Sequence, residues 1–162
     1  MPKIIKNTTI VDDAWQVLGQ DEPLPAMGDC FIPLARWRDD ARVAEYTGGQ
    51  KGLWLAADAD ITDVAPYLEQ AAKVAIDFPA FTDGRGYSLA RLLRERYAYQ
   101  GEIRAVGDVL RDQLFFMARC GFDAFAVRAD KNIEDALLGL GDFSEAYQVS
   151  VERQQPLFKR RA

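Results

Sequence analysis

From Phe31 onward the chain repeats one pattern: a short apolar or β-branched run, an acidic or glycine-bearing turn, then a stretch with helical spacing. That alternation is the signature of βα units, because parallel strands need a crossover between them and a helix is the usual crossover. The runs that read as strands are Phe31 to Trp37, Leu53 to Ala56, Lys73 to Phe78, Ile103 to Val106 and Ala124 to Arg128. Helical spacing follows Asp60 (Ile61, Val64, Ala65, Leu68), Ser88 (Leu89, Leu92, Leu93, Tyr97) and Asp108 (Leu110, Leu114, Met117, Ala118), the last closed by Gly121 at a C-cap position. Residues 132–140 read as a short final helix. The expected fold is α/β, a mainly parallel sheet of βα units; a partial β/α barrel fits the same pattern.

The ends read differently. Ile4-Ile5 and Thr8-Thr9-Ile10-Val11 flank Lys6-Asn7, so residues 1–30 predict a β-ribbon followed by a Gly/Asp/Pro-rich loop. Tyr147, Val149 and Val151 alternate with polar residues, the pattern of a half-exposed edge strand. Residues 1–153 are expected to form a single domain. Residues 154–162, with Pro156 and Lys159-Arg160-Arg161, are expected to be a mobile basic tail.

Composition narrows the chemistry. At 162 residues and 49% hydrophobic, the chain is long enough to bury a core without a metal or disulfide. A net charge of -5 argues against general nucleic-acid binding, which needs a strongly basic face. There is no histidine, which removes Ser-His-Asp and Cys-His catalysis, histidine-ligated zinc or haem, and a histidine general base within this chain. Cys30 and Cys120 lie far apart and form no C-x-x-C pair, against iron–sulfur ligation and a thioredoxin-like dithiol. No apolar run approaches the roughly 18 to 20 residues of a membrane span, and the basic first residues lack the apolar segment of an export signal. A soluble, cytoplasmic protein with no membrane or nucleic-acid partner is the expectation.

Any acid–base work therefore falls to Asp, Glu, Tyr, Cys or Lys. Loops leaving the C-terminal ends of parallel strands gather on one edge, where open α/β proteins bind ligands. By that rule Asp58 and Asp60, Asp77 to Ser88, Gly107-Asp108 and Arg128 to Asp130 share a rim. The segment Asp83-Gly84-Arg85-Gly86-Tyr87-Ser88 is glycine-bearing and precedes a helix, so its N–H groups suit an anion. Between Arg85 and Arg119 every basic residue is arginine, whose planar fork suits carboxylate, phosphate or sulfur oxyanions. Arg85, Arg91 and Arg128, with Gly84, Gly86, Tyr87, Ser88 and Gly107, are the candidate ligand-binding residues. Asp77, Asp83 and Asp108 are the candidate catalytic carboxylates. Each set has a plainer reading: arginine stems cover apolar surface, Asp83 and Asp108 cap helices, and Tyr87 packs as an aromatic. Arg104, inside an apolar strand, predicts a buried brace with a partner such as Asp77 or Asp123. Gly84-Arg85-Gly86 matches neither a dinucleotide fingerprint nor a Walker loop, and no metal set or cofactor motif is present.

The stretches from Asp77 to Arg94, Gly101 to Leu114 and Arg119 to Phe125 closely resemble an uncharacterised bacterial family of domains of unknown function. Members are labelled as oxidoreductases of sulfite reduction. The resemblance implies a part in sulfur assimilation, with sulfite reductase as a partner; no flavin, nicotinamide, haem or cluster motif in this chain would carry electrons. Three readings follow: an accessory protein that binds a small oxyanion or phosphorylated ligand, or sulfite reductase itself; an enzyme using rim carboxylates as general base with arginines on a developing oxyanion; and a non-catalytic adaptor for a redox partner.

Overall fold

In β6 (Lys73–Phe78) and β7 (Glu102–Gly107), apolar residues on one face face the helices, while charged residues alternate with them on the other. That period-two split places the chemistry of this molecule. A computed structural model describes residues 2–80 and 84–141. The remaining strands are β1 (Lys3–Lys6), β2 (Thr9–Asp12), β3 (Gln16–Val17), β4 (Cys30–Pro33), β5 (Lys51–Ala56) and β8 (Ala124–Phe125). The helices are α1 (Leu34–Asp39), α2 (Ala41–Glu45), α3 (Ile61–Val64), α4 (Arg85–Glu95), α5 (Arg111–Cys120) and α6 (Ile133–Leu138).

The strands form one eight-stranded sheet in the order β2-β1-β8-β7-β6-β5-β4-β3. Strands β3 to β8 are parallel, each beside the one before it in sequence, while the β1–β2 hairpin joins β8 antiparallel through Lys6↔Ala124. Consecutive parallel strands in spatial order are the winding of a β/α barrel, and the sheet curls into an open half-barrel with an N-terminal β-hairpin. Ile32, Leu53, Leu55, Val74, Ile76, Phe78, Ile103, Ala105 and Phe125 share one buried cluster with the helix residues Val64, Leu89, Leu93, Leu114 and Met117. The helices therefore cover the convex face. Register puts the other set, Phe31, Trp54, Lys73, Ala75, Asp77, Glu102, Arg104, Val106, Ala124 and Lys6, on the concave face.

Several boundaries differ from the sequence expectation. The run Phe31 to Trp37 is not one strand: β4 ends at Pro33 and Leu34 to Asp39 are helical. The reason is tertiary. Buried Arg36 donates to the carbonyls of Gly19 and Glu22 and pairs with Asp40, and Trp37 donates Nε1–H to Gly52 O, contacts that an extended chain would not place together. Asp108 does not cap a helix, because α5 starts at Arg111, where the Gln113 side chain accepts from Leu110 N. The run Ala124 to Arg128 keeps strand pairing only at Ala124–Phe125. Asp60 caps α3 through Thr62 N, and Gly121 closes α5 at φ 117°, both as their residue types require. The edge strand expected around Tyr147 to Val151, the basic tail at 154–162 and Asp83 lie outside the described residues.

Candidate functional site

The C-terminal ends of β6 and β7 bring part of the expected rim together, namely Asp77, Gly107, Asp108 and Arg128. Asp77 stands in register with Ala56 and Val106, and Phe78 with Gly107. Asp108 N donates to Phe78 O at 2.7 Å, which ties the Gly107 turn to the end of β6. Gly107 has φ +92°, and a Cβ there would lie 2.5 Å from both Asp77 Oδ1 and Phe78 O, so the turn requires glycine.

The rim's charged groups differ in state. Arg128 is held on both sides, with Nη1 2.8 Å from Asp108 and Nη2 2.6 Å from Asp130. These hydrogen bonds raise the arginine's pKa, and the same guanidinium lowers that of Asp130. Arg85 pairs with Asp58 at 3.7 Å, both side chains well exposed. Asp77 is half-buried, and no side-chain hydrogen bond or ion pair joins it to the described residues. Burial alone raises its pKa, as expected for a carboxylate losing water without gaining a partner.

Other predicted residues lie elsewhere. Gly86 is inside α4 and buried, where a Cβ would meet the Phe78 ring at 2.7 Å. Tyr87 packs on Phe78 and Phe116 at centroid distances of 5.2 and 4.9 Å. Arg91 points to Cys120 Sγ (3.6 Å) and Glu95 (3.6 Å), toward α5 rather than the rim. Gly84 and Ser88 are exposed at the start of α4. Arg94 braces the fold by donating to the carbonyls of Tyr99, Gly101 and Gly121. Both cysteines are buried, and burial raises both thiols. The arginine series therefore does not converge: Arg85 and Arg128 are its rim members.

Sequence reasoning missed a second charged group, at the N-terminal end of the concave face. Arg104 is buried, but its partners are Glu102 (2.9 Å) and Asp13 (3.0 Å), not Asp77 or Asp123, and its guanidinium lies over Phe31. The reason is alternation: Glu102 shares Arg104's face, and Asp123 instead accepts from Ile103 N. Glu102 also binds Lys6 at 2.9 Å and Lys73 at 3.3 Å, and Lys73 Nζ stands 4.7 Å from the Trp15 ring. Burial would raise Glu102, but Arg104, Lys6 and Lys73 together hold it below its ordinary value. The two lysine side chains are 34% and 25% exposed against 3% for Glu102, so ammonium groups face solvent. These clustered ion pairs present an anion-binding surface. Lys73 and Asp77, four residues apart, and Glu102 and Arg104, two apart, put charge on one face of otherwise apolar strands, and that was the available signal.

Among the described residues no group of three or more His, Cys, Asp and Glu could hold a metal ion, and no helix is long and apolar enough to cross a membrane. A family model described as "Bacterial protein of unknown function (DUF934)" matches residues 52–158, a span running from β5 past the last helix. No curated protein and no solved structure matches the chain.

Proposed function

Taking as premise that the chain belongs to the DUF934 family of bacterial proteins, we propose that it is an enzyme whose general base is Asp77 at the C-terminal rim of the half-barrel. The observation that carries this reading is the contrast among neighbouring carboxylates: Asp108 and Asp130 share Arg128, whereas Asp77 is half-buried, raised by burial and bound to no cation among the described residues. A carboxylate raised toward the working pH accepts a proton most effectively, and barrel enzymes place such groups at strand C-termini. In the proposed step Asp77 takes a proton from a substrate O–H or N–H, and the electron pair stays on the substrate. Arg85 meets the resulting negative charge, since its exposed pair with Asp58 exchanges at little cost. Arg128, fixed from both sides, shapes the rim.

A second reading rests on the lysine cluster. There Lys6 and Lys73 hold a small oxyanion over the buried Glu102–Arg104 pair, and the protein serves sulfite reduction as an accessory to sulfite reductase in the cytoplasm, as its resemblance implies.

One set of measurements separates the two. Melting temperature is followed with sulfite, sulfate, phosphate and adenylated sulfate in wild type, Arg85→Ala and Lys73→Gln, alongside a carboxylate NMR titration of Asp77. The rim reading expects a ligand whose effect Arg85→Ala removes and which moves the Asp77 titration. A ligand effect lost only in Lys73→Gln favours the second reading. No effect of any of them sinks both. Deleting the gene tests the sulfur assignment: growth restored by sulfide but not by sulfite supports it, and unimpaired growth on sulfate refutes it.

A further inference from the structure

The three tryptophans are not in equivalent states. Trp37 donates its indole N–H to Gly52 O and packs against Tyr67, and Trp15 packs on Phe31 under the Lys73 ammonium. Trp54 is half-buried, and no hydrogen bond, ring contact or cation–π contact joins its side chain to the described residues. It sits on the helix-free concave face, in register with Ala75, one strand from Asp77. Two residues along a neighbouring strand and one strand across put their Cα atoms about 8 Å apart on the same face. Thus an indole N–H and a carboxylate that have no partner among the described residues lie on the same face of adjacent strands, toward the C-terminal rim. Val106, in register with Asp77 on β7, places an apolar residue on the other side of the carboxylate from Trp54.

Aromatic rings on a half-open face offer an apolar surface for stacking and, in tryptophan, a polar handle at its edge. A ligand that stacks on Trp54, accepts its N–H and offers a hydrogen-bond donor to Asp77 satisfies both groups at once; a bare inorganic oxyanion can accept the N–H but brings no ring to stack. We infer that Trp54 is the stacking platform of the Asp77 site, and that its ligand carries a planar aromatic or heteroaromatic group with an N–H or O–H donor on its edge. This rests on the rim reading above and adds the ligand class to it.

The test uses the full chain and planar probes with an edge N–H: adenosine monophosphate, nicotinamide mononucleotide and flavin mononucleotide, with ribose 5-phosphate as the ringless control. Binding is measured by calorimetry and by the Trp54 indole N–H resonance, assigned with Trp54→Phe. At least one probe is expected to bind about tenfold or more tighter than ribose 5-phosphate and to shift the Trp54 resonance. Trp54→Leu should abolish that advantage while Trp54→Phe keeps most of it, with both variants melting close to wild type. If no probe exceeds ribose 5-phosphate, or if Trp54→Leu keeps the advantage, the inference fails. An Asp77 titration that still responds to sulfite or sulfate would then leave the general-base reading standing by itself.

Discussion

Asp77 and Gly107 stand against each other so closely that a single added carbon on Gly107 would come within 2.5 Å of the Asp77 carboxylate. The positive φ of Gly107 turns β7 away at that point, which lets the carboxylate lie over the turn and keeps Asp108 bonded to Phe78 O. Replacing Gly107 with alanine imposes both a strained φ and a clash with carbonyl and carboxylate oxygens. We expect Gly107→Ala to lose about 1–3 kcal/mol of stability in urea unfolding and to displace the Asp77 titration; an unchanged midpoint would contradict the geometry.

Asp77 itself is expected to cost stability. Its folded pKa is raised by burial, so between the unfolded value and the folded one the native state binds more protons than the unfolded state. Stability contributed by this group therefore falls as pH rises through that window and stays lower above it. Asp77→Asn should be at least as stable as wild type at neutral pH, with the difference fading in acid. Urea midpoints across the acid range check this, and a variant clearly weaker at neutral pH would refute it.

Glu102 has the opposite sign. Arg104, Lys6 and Lys73 overcome the effect of burial and hold its folded pKa down, so its contribution is present above the ordinary carboxylate value and is lost as pH falls through the folded one. Removing it leaves Arg104 with Asp13 alone among these partners. Glu102→Ala is expected to lose about 3 kcal/mol at neutral pH, whereas the paired change Glu102→Leu with Arg104→Met should lose less than the two single effects added together. Denaturant titration of the four proteins gives the coupling directly.

Gly86 separates a packing role from a binding one. Its Cβ would press on the Phe78 ring and Ile76, so Gly86→Ala is expected to lose about 1–3 kcal/mol. Ligand affinity measured below the transition should not change. A selective loss of affinity with intact stability would return Gly86 to the ligand site.

How far the sequence could be read depended on the range of the forces involved. The run Lys73 to Phe78 is a strand for local reasons, with Val74, Ile76 and Phe78 alternating around shorter or charged residues, and structure and expectation coincide there. Asp60 and Gly121 are local capping signals and were legible too. Leu34 to Asp39 was not. Its apolar residues continue the preceding run, and helix α1 is held by Arg36 and Trp37 reaching into Gly19, Glu22 and Gly52. At the site, strand order brought Asp77, Gly107, Asp108 and Arg128 to one edge as expected. The Lys6–Glu102 contact joins residues 96 apart, and only the closure of β1 on β8 creates it.

That closure bears on how the chain is made. Each strand from β4 to β8 pairs with the strand synthesised just before it, so the parallel part can assemble in the order in which it leaves the ribosome. The β1–β2 hairpin must wait, because its neighbour Ala124 is made more than a hundred residues after it. Until then Ile5, buried in the finished fold, is without its neighbour Phe125, so a segment made early completes its pairing late.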